Sequence, residues 1–155
     1  MSVVTFYRDD PNAPKTTQGA HLGANAIITC NGKLLLEKRR DCDMWGLVGG
    51  GVKKQETPLQ AIAREIHEEL GLRIPQEQFC KLAVYGEPGR IAAYRDGSIW
   101  RMVIVIYGLE LDTEPKMTIS AESRDLKFFS KEELKDIEIV VTHSDVVDDW
   151  FVNRP

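Results

Sequence analysis

Four carboxylates between residues 56 and 69 could do chemistry together: Glu56, Glu65, Glu68 and Glu69. At about 100° per residue on an α-helix, with Glu65 at zero, Glu68 falls near −60° and Glu69 near +40°. Ile62, Ile66, Leu59, Leu70 and Ala63 fall between about 60° and 160°, so a core stripe runs beside a flank of three carboxylates. Like charges at i, i+3 and i, i+4 oppose a helix by roughly 0.2–0.5 kcal/mol per pair. Glu68 and Glu69 also sit in the last turn, where the helix dipole favours cations. Arg64 offsets only part of this. Clustered hard oxygens suit Mg²⁺ or Mn²⁺. The competing explanation is a solvated acidic face, since Glu is a good helix former.

The segment that must carry these groups is well punctuated. Thr57 fits an N-cap, Pro58 the first helical position, and Gln60 completes a capping box. Gly71 fits the position after the helix, where glycine adopts a left-handed conformation cheaply. Gly49, Gly50 and Gly51 precede it, a loop in which backbone groups can approach an ion or a phosphate closely.

Gly50, Glu56, Arg64, Glu65, Ile66, Glu68, Glu69, Gly71 and Leu72 together satisfy G-x5-E-x7-R-E-U-x-E-E-x-G-U, where U is a bulky aliphatic. This resembles the Nudix box at every defined position. The resemblance is strict over these 23 residues and looser over roughly 21–135. It implies a Nudix-type α/β/α sandwich around a mixed β-sheet. The implied activity is hydrolysis of a nucleoside diphosphate linked to another moiety, by water attack on phosphorus with Mg²⁺ as cofactor and Mn²⁺ as a substitute. By motif position, Glu65 and Glu69 are implied as principal metal ligands, and Glu68 as a third ligand or the base for water. Glu56 is implied as an outer ligand through water, the Gly50 carbonyl as a metal contact, and Arg64 as an orienting partner. Glu122 is either an accessory metal glutamate, as in some members, or a plain loop acid. Val48 stands where the family usually has proline.

Outside the box, Arg39 and Arg40 could meet substrate phosphates bidentately, or simply end a solvated strand. Trp45, Tyr85, Tyr94 and Trp100 could stack a base, or pack structurally. Trp45, Tyr94 and Gly49 join the two arginines as substrate-contact candidates, whereas His21, His67 and His143 have no ligand-like spacing. Pro88, 16 residues after Leu72, resembles ADP-ribose-hydrolysing members. The expectation is therefore an ADP-ribose or nucleotide-sugar substrate. The alternatives are an (oxidised) nucleoside triphosphate pyrophosphatase and a non-catalytic nucleotide sensor.

The elements around the box follow from pattern. Residues 21–30 read as a buried strand and Asn31-Gly32 as a hairpin turn into a second strand over 33–40. Residues 79–87, 99–111 and 125–130 read as strands, Ser130 with Glu133 as a capped helical turn, and 143–152 as a C-terminal helix. Strands around one strong helix, with a second helix at the end, indicate the α/β class.

With 155 residues, 43% of them apolar and 28% charged, one domain over 1–155 is expected, with an N-terminal arm over 1–20. Cys30, Cys42 and Cys80 form no C-x-x-C pair, and no secretory segment is evident, so a cytoplasmic protein is expected. The net charge of −4 argues against binding a nucleic-acid polymer or a membrane. It divides unevenly: +3 over 33–54, −3 over 55–72 and −4 over 130–155. The expected partner is a small nucleotide, and a homodimer is allowed, as in many relatives.

Overall fold

The β-branched run after residue 20 and its neighbours build a sheet whose two faces are both covered. The computed structural model describes residues 3–154. Its strands are β1 (Val4–Arg8), β2 (Ala20–Cys30), β3 (Lys33–Arg39), β4 (Trp45–Gly46), β5 (Val48–Gly51), β6 (Cys80–Tyr85), β7 (Arg90–Tyr94), β8 (Ile99–Leu111) and β9 (Ser123–Phe129). Its helices are α1 (Pro58–Leu70) and α2 (Val141–Val147). The sheet runs β1-β7-β8-β2-β3-β4, with β5 also on β2, β6 on β8 and β9 on β3. β2 and β8 are parallel over eleven register pairs, from Ala20 with Arg101 to Cys30 with Leu111, and the β2–β3 hairpin is antiparallel. This is the mixed sheet of an α/β fold.

Side-chain alternation along the strands makes two cores. Ala24, Ala26, Ile28, Leu35, Val105 and Tyr107 face α1 and pack on Ala61, Ile62, Ile66 and Leu70. Ile27, Leu34, Leu36, Ile104 and Ile106 face the other way, onto Val146, Val147 and Phe151. Each buried aliphatic side chain contributes roughly 1.5–3 kcal/mol.

Local signals hold where they were strongest. Asn31 and Gly32 both have positive φ, 52° and 73°, as a tight two-residue hairpin turn requires. The α1 cap is reciprocal: Gln60 N–H donates to Thr57 Oγ1 at 3.1 Å, and Thr57 N–H donates to Gln60 Oε1 at 2.9 Å. Gly71 ends the helix at φ 75°, its N–H on the His67 carbonyl. Ser130 and Glu133 bond each other's backbone N–H groups at 3.2 and 2.9 Å.

The structure adds two strands and revises two readings. The supposed arm contributes β1, which pairs with β7 from Val4–Tyr94 to Arg8–Arg90. The segment over 90–94, not foreseen as a strand, is β7. The three glycines are strand rather than loop, since Gly49, Gly50 and Gly51 pair with Asn25, Ala24 and Gly23. The C-terminal helix begins at Val141 and changes to a π-helical turn over Asp148–Val152. These pairings come from residues far apart in sequence, and tertiary contact overrides the low strand propensity of glycine.

Candidate active site

β5 and α1 meet face to face and bring two of the box carboxylates, Glu65 and Glu69, to the wall of one cavity of about 580 Å³. That volume lies within the range typical of small-molecule sites. Glu37, Glu65, Glu69 and Glu122 line its acidic end, beside Gly49, Gly50 and Gly51. Arg39, Arg40 and Tyr94 line it as well, together with Phe6, Met102 and Ile104. The wall also includes Asn25, His21 and His143.

Close contact explains the glycines here. A Cβ on Gly50 would lie 2.6 Å from the Glu65 carboxylate. One on Gly49 would lie 2.1 Å from the Ala24 carbonyl oxygen, at a φ of 147°. No side chain fits at either place.

Arg64, itself outside the cavity wall, organises the box carboxylates. Its guanidinium donates to Glu56 at 2.6 and 2.9 Å, to Glu65 at 2.9 Å, to Glu68 at 3.1 Å and to the Gly51 carbonyl at 3.0 Å. Arg64, with the Lys53 N–H, holds the Glu56 carboxyl down at about 2. Glu56 is thus committed to Arg64, and Glu68, half exposed, faces Arg64 rather than the cavity. The helix brings Glu65 and Glu69 to the cavity and leaves Glu68 at its edge.

Glu69 is 3% exposed, and its Oε2 is sealed from solvent with no donor. Its carboxyl faces those of Glu37 and Glu65. Burial first, then these neighbours, push its pKa far up. Glu37 is raised too, mainly by burial, although the Ser123 hydroxyl donates to it at 2.7 Å. Glu37 was absent from the sequence-derived set. Its signal was two-residue alternation with Leu35, which places it on the sheet face that meets α1.

Among the described residues, no three His, Cys, Asp or Glu side chains stand gathered at metal-holding geometry. The oxygen set nevertheless fits a hard divalent ion: Glu69 Oε2 lacks any donor, Glu65 lies beside it, and bare backbone faces both.

The remaining candidates divide. Arg40 is exposed at the cavity, and its N–H donates to the Glu122 carbonyl at 3.2 Å. Arg39 lines the cavity, but its fork is already satisfied by Asp41 at 2.9 and 2.7 Å and lies over the Phe6 ring. It therefore does not offer that fork to phosphate. Trp45 is displaced from the site altogether, packing edge-on against Phe129 in the core facing α2. Tyr85 is likewise occupied, its hydroxyl donating to Asp149 and accepting from Trp150. Trp100 stands edge-on to His21. His21 and His143, set aside on spacing, both line the cavity; they come from β2 and α2, a neighbourhood no linear spacing encodes.

A family model for the NUDIX domain matches residues 19–150. The chain belongs to the Nudix family. A Nudix relative, the nucleoside triphosphatase NudI of Enterobacter sp. (strain 638), is 30% identical over 120 residues, covering 73% of this chain and 84% of its own. A bifunctional NMN adenylyltransferase/ADP ribose pyrophosphatase from Francisella tularensis, solved with AMP and a Mn ion, superposes with a TM-score of 0.67 at 20% identity. That match covers 90% of this chain but only 42% of the bifunctional chain. The NUDIX domain of Shewanella oneidensis NrtR, complexed with ADP ribose, gives 0.66 at 20% identity, covering 90% of this chain and 89% of its own. At these identities the structural likeness concerns the Nudix fold. Among the described residues no helix is long and apolar enough to cross a membrane.

Proposed function

We propose that the chain is a divalent-metal-dependent pyrophosphohydrolase acting on a nucleoside diphosphate linked to a second moiety, of the ADP-ribose or nucleotide-sugar type. The observation that carries this is Glu69, a buried carboxylate with a donorless oxygen, set against Glu65 and a bare glycine strand in a cavity of substrate size. Nudix hydrolases are generally divalent-metal dependent. The ADP-ribose and AMP bound to the two structural relatives support the substrate type.

In this reading Glu65, Glu69 and the Gly50 carbonyl would hold Mg²⁺, with Mn²⁺ as a substitute, and Glu37 and Glu122 complete the acidic wall. When bound, the ion neutralises diphosphate charge and makes water more acidic. Arg64 fixes Glu56, Glu65 and Glu68, so the carboxylates are oriented before substrate arrives. Glu68, at the half-exposed edge, serves as a further ligand or accepts the proton of the attacking water. Arg40 draws the phosphates in, and Tyr94 and Phe6 flank the nucleoside. One water is consumed: its oxygen joins phosphorus, the P–O bond to the bridging oxygen breaks, and two phosphomonoesters leave.

A hydrolysis screen with Mg²⁺ over ADP-ribose, nucleotide sugars, dinucleoside polyphosphates, NADH and nucleoside triphosphates tests this. Release of a nucleoside monophosphate plus a phosphorylated partner is expected, lost in both Glu65→Gln and Glu69→Gln. Full activity in both variants overturns the site. The similarity to nucleoside triphosphatase NudI favours a second reading, turnover of triphosphates with release of pyrophosphate. Inactivity across the screen with nucleotide binding retained would instead indicate a sensor.

A further inference from the structure

Two uncharged groups on the cavity wall lie outside the carboxylate cluster. Asn25, on β2, and His143, on α2, are each 5% exposed, and they grip the same residue. Leu47 N–H donates to His143 Nδ1 at 3.0 Å, while Asn25 Nδ2 donates to the Leu47 carbonyl at 3.2 Å and reaches that of Val48 at 3.5 Å. Those bonds fix both orientations. Because Nδ1 accepts, the neutral imidazole carries its hydrogen on Nε2. Burial, reinforced by the Arg39 and Arg90 guanidiniums, holds the pKa of His143 down at about 3, so the ring stays neutral. Because the Asn25 amide nitrogen faces two carbonyls, its Oδ1 faces away from them; the flipped amide would set oxygen against oxygen.

Among the described residues, the side-chain polar atoms both sealed and unpartnered are His21 Nδ1 and Glu69 Oε2. Nε2 of His143 and Oδ1 of Asn25, which have no hydrogen-bond partner among the described residues, therefore open onto the cavity that both residues line. Flanking glycines make this clamp possible. A Cβ on Gly46 would stand 3.1 Å from His143 Nδ1, and one on Gly49 2.7 Å from Asn25 Nδ2.

We propose that Asn25 and His143 read the nucleobase of the substrate, with Asn25 Oδ1 accepting from the base and His143 Nε2–H donating to it. This rests on the nucleotide reading above. A phosphate oxygen only accepts, so it would oppose Oδ1. A base edge that carries a donor next to an acceptor satisfies both groups at once. Phe6, Tyr94, Met102 and Ile104, in the same wall, supply apolar surface for a flat ring.

The test uses calorimetry with AMP, GMP, CMP, UMP and base-free ribose 5-phosphate in Mg²⁺. None of these contains a phosphoanhydride, so binding is read without turnover. At least one nucleotide is expected to bind wild type about tenfold more tightly than ribose 5-phosphate. His143→Phe should bring that ratio close to one. His143→Gln, whose amide can accept from Leu47 N–H and donate onward, should restore it. In ¹⁵N-histidine-labelled wild type, the Nε2–H resonance of His143 should shift with the preferred nucleotide and not with ribose 5-phosphate; this arm needs no variant to fold. Equal binding of ribose 5-phosphate and every nucleotide overturns the proposal, as does nucleotide binding without that shift. Equal weakening of all five probes in His143→Phe, with no rescue by glutamine, also overturns it. Base discrimination without hydrolysis in the substrate screen would sink only the hydrolase reading. Hydrolysis without base discrimination would sink only this pair.

Discussion

Glu69 is held in a place that a carboxylate resists: buried, without a donor, and opposite two other carboxyl groups. Its replacement by glutamine should separate stability from function. In chelator the raised pKa keeps the Glu69 carboxyl protonated beside Glu37 and Glu65. Folding must then take up a proton there that the unfolded chain does not hold at pH 7, and Glu69→Gln removes that cost. Its melting temperature should exceed that of wild type by several degrees, at about 2–4 °C per kcal/mol for a chain of this size. Hydrolysis should fall by about a hundredfold or more, because metal stabilisation of the transition state is worth several kcal/mol. An unchanged melting temperature in chelator would contradict the strain. His143 sets a pH dependence of definite sign. Its ordinary value is 6.5 and its folded value about 3. The unfolded chain takes up a proton below pH 6.5 that the folded ring refuses, so stability present above pH 6.5 is lost as pH falls toward 3. The slope reaches about 1.4 kcal/mol per pH unit. Urea midpoints at pH 7, 5.5 and 4.5 should fall more steeply for wild type than for His143→Gln. The box glutamates were legible because one helix carries them at fixed spacing. Asn25, Glu37 and His143 were not, since each reaches the cavity from a different element.

At the scale of the element, α1 is the part most fully written in local sequence. Thr57→Ala removes one half of the capping box and should cost about 1 kcal/mol. A melting temperature lower by a few degrees, with kcat nearly unchanged, is the expected result, because the cap is exposed and lies outside the cavity wall. A drop in kcat as large as that of Glu69→Gln would mean the helix start positions the carboxylates more tightly than its bonds suggest. The glycine strand is the opposite case. Three glycines carry no side-chain pattern for a strand, and their pairing is dictated by β2 and by the Glu65 carboxylate packed on Gly50. β1 and β7 were missed for the same reason, since each is short and is defined by its partner.

Across the whole molecule, distant segments are tied by one buried cation. Arg90 is 1% exposed, pairs with Asp145 of α2, and donates to the Thr142 carbonyl. Asp145 also pairs with Arg8 of β1 at 3.0 Å. This junction joins β1, β7 and α2 behind His143, and β1 lies outside the residues matched by the family model. Arg90→Met should cost about 3–5 kcal/mol, as expected when one partner of a buried pair is removed. Urea unfolding would read it, and a loss below 1 kcal/mol would show that Arg8 alone suffices for Asp145. The division of charge along the sequence also finds its place in three dimensions. The basic stretch supplies Arg39 and Arg40, and the acidic helix supplies Glu65 and Glu69, to one cavity.

The parallel pairing of β2 with β8 has a consequence for how the chain is made. Ala20 meets Arg101, about eighty positions later. At about 5–20 residues per second, the ribosome would deliver that partner roughly 4–16 s after β2 itself. During that interval β2 can hold β3 and β5 along one edge, while the other edge, rich in alanine and isoleucine, waits unpaired in the nascent chain. The step that completes the sheet is thus a late closure across most of the sequence, and such non-local pairings are slow. An unpaired strand edge exposed during synthesis is the aggregation hazard this architecture carries.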